Sequence, residues 1–156
     1  SASEMLDLKR VGNLEEVIKN TNSIFENNPF LKESLMKFKI AENALMSYTK
    51  TPLLEMTARN LIQQQGIPTF PRPIGIPNNY LVMLTSKGAG MEYVSPINPH
   101  IRVRVMPGKP HSPHVFQQKP YVIQMKNGKA FDKVGNMVDK KAPEAHIPIE
   151  EYIYIE

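Results

Sequence analysis

Four histidines lie between positions 100 and 146, at His100, His111, His114 and His146, in a chain of 156 residues. An imidazole titrates near neutral pH and is the usual proton carrier. Around them stand Arg102, Arg104, Lys109, Lys119, Lys126 and Lys129. Proton carriers interleaved with fixed cations suit chemistry on an anion. Metal-free transesterification of an RNA phosphodiester needs that set. It requires a base for the 2′-hydroxyl, an acid for the leaving 5′-oxygen and cations for the phosphate.

His146, in Ala145-His-Ile-Pro148, can do either proton job. Glu144 is two residues away, on the same face if the segment is extended. It is a candidate to orient the imidazole or to carry the second proton. Arg102 and Arg104 alternate with Val103 and Val105, so a strand would place both guanidiniums on one face. Their planar forks match phosphate oxygens. The alternative for this run is an ordinary amphipathic strand. His111 belongs to the same candidate catalytic set. Lys87, Lys109, His114, Lys119, Tyr121, Lys126 and Lys129 are candidate RNA-binding residues, with Tyr121 able to stack on a base. His111 and His114 could ligate a metal, but no cysteine or matching carboxylate accompanies them. No Walker loop, GxSxG or HExxH motif occurs. Neither a metal nor another cofactor is expected.

Charge supports an anionic partner. The net charge is +4. Over residues 67–130 eight Lys and Arg side chains face Glu92 alone. Such a field attracts nucleic acid, a membrane surface or an acidic protein. With no cysteine, the chain has no disulfide, no thiolate zinc site and no Cys nucleophile. The apolar runs are too short for a membrane span, so stable membrane insertion is not expected. Ser1-Ala-Ser3 lacks a starting Met, and the chain is expected to be part of a larger protein.

These residues need a frame. Residues 13–65 read as three helices. Asn13 caps the first, Pro29 opens the second, and Thr51-Pro52 opens a third that stops at Gly66. Prolines 68, 71, 73 and 77 make residues 67–77 an extended connector. Strands are predicted over 80–84, 91–94, 101–105, 121–125 and 152–155. Asn127-Gly128 marks a hairpin, and 132–136 another turn. Residues 107–120 are too proline-rich for a strand and form a long loop, the kind that is usually functional or disordered. The expected class is α+β, divided into a helical segment over 1–66 and a basic β-rich domain over 67–156.

At Arg104-Val-Met-Pro-Gly-Lys-Pro110, Gln118-Lys-Pro-Tyr121, Lys126-Asn-Gly-Lys-Ala-Phe-Asp132, Gly135-Asn136 and Pro143-Glu-Ala-His-Ile-Pro148 the chain resembles the C-terminal toxin domains of bacterial polymorphic and contact-dependent growth inhibition toxins. The resemblance covers about the last third of the chain. It implies a metal-independent ribonuclease of the barnase/EndoU/colicin/RelE type, with helices packed on a small twisted antiparallel sheet. It also implies an RNA substrate, tRNA among the candidates, and a cognate immunity protein, here expected to be acidic. The domain would belong to a secreted or cell-surface effector delivered into the cytoplasm of target bacteria, and 13–65 would be either the helical part of the toxin fold or an entry segment for delivery. His146 and Arg104 are the catalytic positions the resemblance favours. His111 and His114 stand where similar sequences carry asparagine. Two other readings remain open: a non-catalytic basic module binding RNA or protein, and a metal-dependent DNase using His111 and His114.

Overall fold

Alternation along Ile101–Met106 sets the architecture. Val103 and Val105 are buried while Arg102 and Arg104 are partly exposed, so this strand has an apolar and a charged face. The computed structural model describes Glu33, Met36, Asn43 and residues 47–156. The first expected helix lies outside the described residues, and of the second only Glu33, Met36 and Asn43 are described, each of them helical. By compactness the chain divides into Ser1–Tyr48 and Thr49–Glu156. The division falls at 48/49, ahead of the expected 66, so the third helix goes with the sheet.

That helix, α1, spans Glu55–Gln64. It begins three residues after Pro52, because the Leu53 amide donates to the Val82 carbonyl at 2.6 Å and the preceding segment stays extended. It ends as expected at Gly66, whose φ is +75. Arg59 and Arg72 both pair with Glu55, at 3.2 and 2.8 Å. Arg59 donates to the Phe70 carbonyl and Arg72 to that of Pro77. These bonds hold the proline-rich connector against the helix.

Seven antiparallel strands follow: β1 Leu81–Leu84, β2 Met91–Val94, β3 Ile101–Met106, β4 Tyr121–Lys126, β5 Lys129–Phe131, β6 Met137–Val138 and β7 Ile147–Pro148. They pair in sequence order from β1 to β6. The outer edge of β4 is shared: Tyr121 and Val122 pair with β7, Met125 and Lys126 with β5. The fold is α+β, mostly sheet, with one α-helix in this unit. No helix among the described residues is long and apolar enough to cross a membrane.

Paired residues of an antiparallel ladder share a face, so the register sorts the side chains. One face carries Val82, Leu84, Met91, Tyr93, Val103, Val105 and Val122, all buried. Ile62 of α1 meets Met91, Tyr93 and Val105 there, around a void of about 10 Å³. The other face carries Glu92, Arg102, Arg104, Tyr121, Ile123 and Met125. Part of it has its own small core, where Ile123, Ala130 and Ala145 pack with Tyr121, Met125 and Val138.

The expected strand over 152–155 is absent. Ile153 makes a single parallel bridge to Ile74. The buried Gln124 side chain takes the place of a strand partner: it donates to the residue 155 carbonyl at 2.6 Å and accepts from the Ile155 amide at 3.0 Å. Tyr152 donates its hydroxyl to the same amide oxygen at 2.7 Å.

Candidate functional site

His146 lies on the charged face, at the junction of a short 3₁₀ turn, Pro143–Ala145, with β7. Its amide donates to the Pro143 carbonyl, and the residue is 7% exposed. Nδ1 lies 2.8 Å from the Ala142 carbonyl oxygen, which can only accept, so Nδ1 carries the proton in the neutral ring. Nε2 is then an acceptor and faces the Gln117 amide nitrogen across a long contact of 3.5 Å. Gln117 is oriented in turn, since its side-chain oxygen accepts from the Ser112 hydroxyl at 3.1 Å. Burial pushes the imidazole below its ordinary range, the Ala142 bond opposes that shift, and His114 adds to it.

Aromatic rings form the walls. The Phe116 ring centroid is 4.6 Å from that of His146, and Tyr121 is at 5.0 Å. His114 stacks on Phe116 with ring centroids 5.2 Å apart. Burial raises the Tyr121 hydroxyl above the ordinary phenol range, while the positive charge of Arg104 works against it. Tyr121 therefore stays a proton donor at neutral pH.

Both arginines are tied to Glu92, which sits directly across from Arg104 and is 5% exposed. Arg104 approaches one carboxylate oxygen through Nε and Nη2, both at 2.9 Å. Arg102 reaches the other oxygen at 3.5 Å and also donates to the Pro99 carbonyl. A guanidinium has five N–H donors, so Arg104 keeps donors on Nη1 for a substrate. The strand expectation holds for the arginines. The sequence reading did not foresee their shared buried carboxylate, although Glu92 was the lone acid in a basic stretch.

The loop over 107–120 is built rather than loose. The Lys109 amide donates to the Gln117 carbonyl at 2.8 Å, and Ser112 bonds the His114 amide and the Gln118 side chain. Gly108 has φ +83, and a Cβ there would lie 2.5 Å from the Lys119 carbonyl carbon. A 3₁₀ turn, Val115–Gln117, presents Phe116 and Gln117 to His146. These two residues and Ser112 were missed from sequence, because nothing in their spacing shows that the loop folds back on His146.

The other candidates scatter. Glu144 is exposed and does not hold the imidazole, because residues 143–145 are helical and the Ala142 carbonyl does that work. It lines a cleft of about 340 Å³ with His146, Asp132, Lys133 and Glu151. This flank is acidic. On the other flank a cavity of about 190 Å³ is walled by Met106, Gly108, Lys109 and Tyr121. His111, Lys119 and Lys87 are exposed, the last in the turn joining β1 and β2. Lys126 and Lys129 pair with each other and, by register, project from the face opposite Arg104 and His146. Among the described residues no group of three or more His, Asp or Glu is placed to hold a metal ion.

The arrangement offers a neutral oriented base, a protonated phenol and a guanidinium around one end of β4, a set suited to moving protons beside an anion. No protein-family model, no curated protein and no solved structure matches this chain.

Proposed function

We propose that this chain is a toxin domain that cleaves RNA without a metal, by transesterification. His146 Nε2 takes the proton from a ribose 2′-hydroxyl. The resulting oxygen attacks the adjacent phosphorus, and the bond to the 5′-oxygen breaks. Tyr121 or the newly formed imidazolium protonates that leaving oxygen, giving a 2′,3′-cyclic phosphate and a free 5′-hydroxyl. Arg104 stabilises charge on the phosphate through Nη1. RNA approaches along the Tyr121 and Lys109 flank, because the carboxylates of the opposite cleft repel phosphate. The observation that carries this reading is the pre-oriented imidazole packed against Tyr121, whose hydroxyl in turn feels the charge of Arg104. The motif resemblance and the basic charge support the wider proposal: an effector domain delivered into target bacteria and silenced by an acidic immunity protein.

Incubation with total RNA in the presence of chelator, followed by sequencing of new ends, tests it. Wild type should produce defined 2′,3′-cyclic ends and His146→Ala should not. A folded His146→Ala protein that cleaves like wild type sinks the mechanism. One observation favours a second reading, a non-catalytic RNA-binding module: Glu92 already engages both arginines. Such a module would retard RNA in a gel and leave it intact.

A further inference from the structure

Lys126 and Lys129 stand directly opposite each other at the β4–β5 turn. Like charges in that relation repel and destabilise a hairpin. Among the described residues neither ammonium has a carboxylate partner. The turn itself is well formed, with φ of 52 at Asn127 and 81 at Gly128, as an Asn-Gly hairpin requires. The geometry therefore holds two cations together at a cost that the fold does not offset locally.

Both lysines line a cavity of about 420 Å³ on the face of the sheet away from His146. Its size falls within the range of small-molecule sites, about 300–1,000 Å³. Its walls are aromatic. Phe131 comes from β5, and Tyr80 and Tyr154 meet edge to face at 5.9 Å with their hydroxyls bonded at 2.7 Å. Glu156 is the one carboxylate on the lining, against the two ammoniums. A planar apolar body with an anionic end fits this combination, since every nucleobase offers a face to an aromatic ring.

We propose that this cavity is a nucleotide site, with the phosphate between Lys126 and Lys129 and the base against Phe131 and Tyr154. The site lies on the opposite face from His146 and stands independently of the ribonuclease reading. Its ligand is a nucleotide phosphate, either free or within an RNA strand.

The test uses the full chain carrying His146→Ala, so that no cleavage interferes. Backbone NMR shifts are followed on titration with adenosine 5′-monophosphate and, separately, with an eight-nucleotide single-stranded RNA. Saturable shifts centred on Lys126, Lys129, Phe131 and Tyr154 support the site. With the mononucleotide they assign a free nucleotide; with the RNA alone they assign a strand. Lys126→Ala and Lys129→Ala should each weaken the responding probe about tenfold while leaving the melting temperature unchanged or raised, because the repulsion is relieved. In the RNA arm each should also lower the salt slope by about 0.7. Phe131→Leu, which keeps the apolar burial, should weaken binding without moving the salt slope. Shifts confined to Arg104 and Tyr121, or unchanged affinity in both lysine variants, overturn the proposal.

Discussion

Glu92 holds two opposing consequences in one carboxylate. It neutralises Arg102 and Arg104 within the sheet, and it competes with any phosphate for them. Glu92→Gln should therefore destabilise the fold by about 1–3 kcal/mol, the cost of leaving buried polar groups poorly matched. The same variant should bind RNA more tightly. Urea melts and a gel-shift titration on one preparation check both halves, and a variant that loses stability without gaining affinity would show that the arginines do not meet the substrate. His146 sets the pH behaviour. Its folded value is lowered by burial, so the unfolded chain takes up a proton first, near the ordinary value of about 6.5. Stability should fall as the pH drops from there through the lowered folded value, and level off below it. His146→Asn should flatten that part of the urea-midpoint profile. If His146 transfers a proton, its loss should also cost about 10²–10⁴-fold in cleavage rate.

At the scale of elements, the loop over 107–120 and strand β4 do the positioning. Gly108→Ala would drive a methyl group into the Lys119 carbonyl and strain a positive φ. It should move Phe116 and Gln117 away from His146, reducing cleavage more than it lowers the melting temperature. Equal losses in the two assays would mean a purely structural loop. The elements that sequence revealed were those with a local cause. Short β-branched or aromatic runs marked β1 to β4, with alternation at 102–105, Asn127-Gly128 marked its hairpin, and Gly66 marked the end of α1. Elements with a non-local cause stayed hidden. β7 is two residues long and contains Pro148, so it exists only because β4 offers an edge. The tail at 152–155 has the composition of a strand, yet its partner is the Gln124 side chain. The site divides the same way: Arg102, Arg104, Tyr121 and His146 were legible as residue types, whereas Gln117, Phe116 and the buried Glu92 depend on register and loop closure.

Across the whole unit, the cations do not form one surface. Lys109 lies beside Tyr121 at one end of β4 and Arg104 shares the sheet face of Tyr121, while Lys126 and Lys129 leave from the other end on the opposite face. If the toxin proposal holds, an immunity protein that only blocks cleavage needs to cover the first group alone. Its association should slow steeply with salt and respond to Lys109→Ala much more than to Lys126→Ala. Stopped-flow association rates at two ionic strengths would decide this, and equal sensitivity to both substitutions would point to a partner that wraps the sheet edge.

Strand order has a bearing on time. From β1 to β6 every strand pairs with its neighbour in sequence, and contacts of that local kind form early and fast. The Val122–Ile147 pairing that closes β7 onto β4 makes a longer loop than the Met106–Tyr121 pairing that closes β4 onto β3, so its closure is costlier and expected later. His146 sits at that closure. A chain refolding after passage through a narrow channel would thus acquire its sheet before its imidazole is in place. On the ribonuclease reading, far-ultraviolet dichroism should recover ahead of cleavage, which should appear only in a slower phase. Until then, on the ribonuclease reading, the domain would be folded in outline and inactive.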